Sequence, residues 1–204
     1  MKAIRVFTAA LTFCFAPHLA FSSQEHDRFE GSCDSLQNAV SADLVQFLNA
    51  VVPDEKSSPC VTWAIHRLGQ ERYEPAIIPL VKLLDFRRPQ TEGEKIFHGL
   101  SRETFPAEEA LELIGKKALP ELLHALGAET STDTLRQNAL TVWMEIYRQY
   151  DEQPKGVTDL KLEESKASDS SIKGRLEWAV QKAVTRCNKA ELAECKQAAR
   201  GSTP

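Results

Sequence analysis

The stretch FPAEEALELIGKKALPELLHAL, Phe105 to Leu126, decides how the chain is built. Leucines recur in it at helical spacing, yet Gly115 stands in its middle and prolines stand at 106 and 120. A proline inside a continuous helix costs about 3 kcal/mol, but little in a first turn, where its missing N–H has no intrahelical partner anyway. Glycine most readily adopts the left-handed conformation that closes a helix. Pro106 to Ile114 is therefore predicted as one helix, with Ala110, Leu113 and Ile114 on its apolar face and Glu108, Glu109 and Glu112 on a solvated one. Lys116 and Lys117 follow it, where the helix dipole favours cations. Leu119, Leu122, Leu123 and Leu126 make a second stripe, opened by Pro120. The expectation is two short antiparallel helices hinged at Gly115, not one interrupted helix.

The pattern occurs earlier as well. WAIHRLG (Trp63 to Gly69) followed by AIIPLVKLL has the same order: helix, glycine, then a proline-started apolar helix. In that copy Val61, Ile65 and Leu68 form the first stripe, and Ile77, Ile78, Val81 and Leu84 the second, with Pro75 and Pro79 near its start. A weaker copy begins at LRQNALTVWMEIYRQY, Leu135 to Tyr150, without the glycine. Upstream, Leu36, Val40, Leu44, Phe47 and Val51 predict a helix over 35–51, closed by Pro53. Downstream, Leu176, Ala179, Val180, Ala183 and Val184 predict another, with a short helix around Glu191 to Ala199. Trp63, Trp143 and Trp178 fall on helical stripes and are expected to anchor the core.

The two glycine–proline units resemble HEAT-type helical repeats. That resemblance covers about residues 58–150 and implies an all-α fold, a short α-solenoid of stacked antiparallel helix pairs. The intervals from Ala64 to Ala110 and from Ala110 to Ala139 are unequal, so the array is expected to be irregular. A stacked pair cannot bury its apolar face alone, so the segments 33–52 and 155–200 are expected to serve as caps.

The N-terminus reads as a secretory leader over 1–22. Lys2 and Arg5 precede an apolar run from Val6 to Phe15, and Ala20-Phe21-Ser22 offers small residues at the cleavage positions. The run is too short to span a bilayer, which takes about twenty residues. Residues 23–204 are expected to form one helical domain, periplasmic or secreted, with no membrane span once the leader is removed. Bulky Phe13 disfavours acylation at Cys14. Four cysteines remain: Cys33, Cys60, Cys187 and Cys195. Of the three possible connectivities, the sequence-local one, Cys33 with Cys60 and Cys187 with Cys195, is expected in an exported chain. An unbroken helix would hold Cys187 and Cys195 about 12 Å apart, beyond disulfide reach. Their bond therefore needs a turn, which Asn188 offers.

The composition, 26% charged and 42% hydrophobic, excludes a disordered acidic chain and a membrane bundle. A formal net charge of −4, with no Lys/Arg cluster, argues against nucleic-acid binding. No HExxH, GxSxG, P-loop or GxGxxG motif occurs, no CxxC pair anchors a zinc site, and no DxDxDG loop offers calcium ligands. Neither metal nor cofactor is expected. His66 and His124 read as partly exposed helix residues. The longest non-periodic segment, 87–104, carries Arg87, Arg88 and His98, the residues most suited to touch a ligand. The expected function is that of a non-catalytic scaffold binding a protein or peptide. The alternative is a small-ligand binder or an enzyme using the 87–104 loop.

Overall fold

The computed structural model describes residues 33–89 and 104–187, and residue 198. The leader with Cys14, His98, Cys195 and most of the helix expected at 191–199 lie outside the described residues. Everything regular among the described residues is helical, with no strand. The helices are α1 (Asp34–Gln37), α2 (Ser41–Ala50), α3 (Ser58–Gln70), α4 (Ile77–Lys82), α5 (Pro106–Ile114), α6 (Leu119–Gly127), α7 (Asp133–Arg148), α8 (Gln153–Lys166) and α9 (Ser170–Arg186). Short 3-10 turns, Glu74–Ala76 and Gly115–Ala118, lead into α4 and α6.

The opening stretch does form two helices. Gly115 ends α5 with φ 79° and ψ −145°, close to a conformation that only glycine adopts freely. Prolines occupy the first turns of α3, α5, α6 and α8, where no N–H is missed. Yet α5 and α6 make their main contacts with other helices rather than along each other. α3 packs on α5 and α5 on α7, which makes one row. α4 packs on α6 and α6 on α9, which makes a second. The rows touch through α4 with α5 and α6 with α7, and α8 closes the end against α7 and α9.

α5 is the central helix, and its position overturns the reading of its acidic face. With α3 and α7 on either side, it buries Ala107, Ala110, Leu111 and Ile114, and also Glu108 and Glu112, each only 7% exposed. Of the expected solvated trio only Glu109 faces water, and Leu113, expected in the core, is 37% exposed. The amphipathic rule assumes burial on one side, and α5 is covered on two.

Gly69 also departs from its expected role. α3 continues through it to Gln70, and the left-handed residue beyond is Arg72, at φ 50°. A Cβ on Gly69 would lie 2.6 Å from the Cα of Ala110. The glycine is there because α3 and α5 cross at that point with almost no space between their backbones. Gly156 repeats the device at the α7–α8 contact, where a Cβ would lie 2.8 Å from a ring carbon of Tyr147. Its carbonyl accepts the indole N–H of Trp143 at 3.1 Å.

The N-terminal segment is broken rather than continuous. α1 stops at Gln37, and Val40, expected in the stripe, is 62% exposed. Leu44 and Leu48 carry the burial of α2. On α4 likewise, Ile78 is 52% exposed and Leu80 fully buried. α8, not anticipated as a separate helix, buries Gly156, Val157, Leu160 and Glu164. Of the three tryptophans only Trp143 is buried; Trp63 and Trp178 are half-buried at the edge of the core. Cys33 and Cys60 form a disulfide across a separation of 27 residues, with Cα atoms 5.4 Å apart. Cys187 is also disulfide-bonded, its partner lying outside the described residues.

Candidate functional site

The C-terminus of α6 presents carbonyls that no helical N–H can reach, and the way they are satisfied shapes the most distinctive surface of the molecule. The Ala125 carbonyl accepts from Ser131 Oγ at 2.7 Å. The Gly127 carbonyl accepts from Arg175 Nε at 2.7 Å. The carbonyls of Ala128 and Ser131 accept from Arg136 Nη2 at 3.2 and 3.0 Å. One arginine comes from α7 and the other from α9, so both are tied to the carbonyls of a single chain turn, residues 127–131.

Between those two helices lies a cleft of about 400 Å³, lined by Arg136 and Arg175 together with Asp133, Ser171, Gly174 and Trp178. Each arginine is held but not exhausted. Arg175 spends Nε on Gly127 and Nη1 on the Ser171 hydroxyl, at 2.7 Å, which leaves Nη2 unspent. Arg136 gives Nη1 to Asp133 at 3.0 Å, and its buried Nε–H has no acceptor. Asp133 is 94% exposed, so that ion pair is worth well under about 1 kcal/mol. The second carboxylate nearby, Asp169, caps α9, accepting from the backbone N–H groups of Ser171 and Ile172 at 2.8 and 2.9 Å. Those bonds hold its pKa below the ordinary carboxylate value, with the Arg175 charge adding to the effect.

Gly174 has no packing reason to be glycine: a Cβ built on it meets nothing within 4 Å. Inside a helix, glycine is less stable than alanine by about 1 kcal/mol. The contrast with Gly69 and Gly156, where a Cβ would strike another helix, is sharp.

Two other hollows among the described residues are already matched or apolar. One of about 300 Å³ is lined by Arg148, Glu145, Thr141 and Arg186. There Arg148 donates to Glu145 at 2.6 Å and Arg186 to Thr141 at 2.7 Å. Crowding by protein lowers the pKa of Arg186, against the opposing charges of Glu108 and Glu145. A groove of about 400 Å³ on the other flank of α9 is mostly apolar, with Leu123, Ile172 and Leu176 among its walls.

Arg87 is exposed and Arg88 half-buried, and neither lines the α7–α9 cleft; His98 lies outside the described residues. The ends of their segment are tied: the Arg88 N–H donates to the carbonyl of buried Thr104 at 3.0 Å. His66 Nδ1 lies 3.9 Å from Glu109 on the surface, and His124 is exposed on α6. Among the described residues no group of histidine, cysteine, aspartate or glutamate is arranged to hold a metal, and no helix is long and apolar enough to cross a membrane. Arg136, Arg175 and Trp178 were not legible as a group, because their proximity depends on the α6–α7 turn. The available signal was Gly174, an unexplained glycine inside a strongly helical run. No known protein family, curated protein or solved structure matches the chain.

Proposed function

We propose that this chain is an exported, non-catalytic interaction module of HEAT-like type that binds a protein or peptide. The observation that carries the reading is the row packing, α3 on α5 on α7 and α4 on α6 on α9. The first row aligns α3, α5 and α7 as an array of units would, while in the second α9 rather than α8 follows α6, so the array we propose is an irregular α-solenoid, an architecture that offers extended binding surfaces. The Cys33–Cys60 disulfide supports export to an oxidising compartment. The inference from fold to role is one of class, so the test has to be functional. Proximity labelling with the full-length chain in its native envelope should mark a recurrent protein neighbour. Purified mature chain should bind that neighbour directly, and charge reversal at Arg175, in the α7–α9 cleft, or at Lys166, on the wall of the apolar groove, should identify the face used. If no neighbour binds the purified chain, the reading fails. Mass spectrometry checks export independently, with a mature start near Ser23 and no alkylatable thiol expected.

A further inference from the structure

We infer that the cleft between α7 and α9 is a recognition site for a carboxylate flanked by an apolar group, supplied by an acidic side chain of a bound polypeptide. This rests on the interaction reading and names the chemistry that would be recognised.

Two guanidinium groups are tethered to one turn and line one cleft, which favours an anion there. Their orientation is set in advance. Backbone carbonyls of Gly127, Ala128 and Ser131 hold both arginines from behind, and the Ser171 hydroxyl steadies Arg175. Arg175 Nη2 is left for a ligand, in the planar geometry suited to a carboxylate oxygen. The protein's own candidates are engaged or weak: Asp169 is committed to its cap, and Asp133 points largely into water. Trp178 stands one turn beyond Arg175, lines the same cleft and is only half-buried, so an apolar group has a surface to cover. Gly174, next to Arg175 on the same wall, leaves open space where a Cβ would be. The fold gains nothing from that glycine, and a ligand gains room. A stabilising alanine is forgone at a position that lines the cleft.

The test uses the mature full chain and three probes: acetyl-Phe-Glu-amide, its uncharged counterpart acetyl-Phe-Gln-amide, and inorganic phosphate. The glutamate peptide should shift the indole N–H resonance of Trp178 and bind about ten-fold more tightly than the glutamine peptide, the factor a charged hydrogen bond supplies. Arg175→Gln should erase that preference. Since Arg175 also braces Gly127, Arg175→Lys serves as the folded control, retaining charge and losing most of the discrimination. Gly174→Ala should melt at a higher temperature than the parent and yet bind the glutamate peptide several-fold more weakly. Equal affinity for the two peptides, or a Trp178 resonance unmoved at millimolar peptide, overturns the proposal. Phosphate binding more tightly than the glutamate peptide overturns the polypeptide source and leaves a free-anion site. A partner protein that is captured equally well by parent and Gly174→Ala chains would retain the interaction reading and eliminate this site.

Discussion

The two helix–glycine–proline units look alike in sequence and are built differently. In the second, Gly115 ends its helix through a positive φ that other residues resist. In the first, Gly69 stays inside its helix, its missing side chain lets α5 pass, and the left-handed turn falls to Arg72. One glycine is a backbone requirement and the other a spatial one. The first unit is also stapled by Cys60, whereas no described disulfide touches the second. Similar motifs can therefore report different physical needs, and substitutions can separate them.

The largest expected effect lies in the staple. Replacing Cys33 and Cys60 with serine should lower stability by about 3.5 kcal/mol in the chain-entropy model, read as a lower urea midpoint than the oxidised parent. Gly69→Ala comes next, at about 2–3 kcal/mol, because the new methyl meets backbone rather than a flexible side chain. Adding Ala110→Gly should recover only part of that loss, since the Ala110 Cα itself lies 2.6 Å from the new atom; full recovery would show the contact to be softer than its geometry. Gly115→Ala should cost about 2 kcal/mol through backbone strain alone. Its neighbourhood is open, with Tyr150 Oη the nearest atom to a Cβ, at 3.5 Å, so no neighbouring substitution should rescue it. Arg72→Gly should go the other way and stabilise by about 1 kcal/mol, relieving a left-handed residue.

The smallest effect separates the units by pH. The Ser41 hydroxyl and then Arg67 hold Glu71, at the end of α3, below its ordinary carboxyl pKa of 4.5. A depressed folded pKa contributes stability that is present above 4.5 and lost as pH falls through the folded value. Glu71→Gln should therefore reduce stability at neutral pH by less than about 1 kcal/mol, as suits an exposed group, and flatten the acid limb of the pH profile. An unchanged limb would assign the acid sensitivity elsewhere, to Asp54 and Asp169, whose pKa values are also lowered.

Much of the helical framework was legible because it depends on local signals. Proline starts and apolar spacing located α3, α5 and α6, and the Cys33–Cys60 bond followed from cysteine parity and proximity in sequence. What failed was whatever depended on a second neighbour. Glu108 and Glu112 read as solvated because spacing reports one face of a helix, while α5 is enclosed by α3 and α7. Gly69 and Gly115 could not be told apart, since a crossing is invisible until the crossing helix is placed. The arginine cleft was hidden for the same reason. Arg136 and Arg175 are remote in sequence and line one cleft because carbonyls at and just beyond the end of α6 accept from both.

The hydrogen bond from the Arg88 N–H to the Thr104 carbonyl has a practical consequence. Residues 88 and 104 are thereby held at one point of the described body, so the span that any joining chain must close is short and fixed. Loop-closure entropy grows slowly, by about 0.6 kcal/mol for each doubling of length. That makes the junction a port: an epitope, a fluorophore-binding peptide or a whole small domain could be spliced in there while both helix rows keep their register.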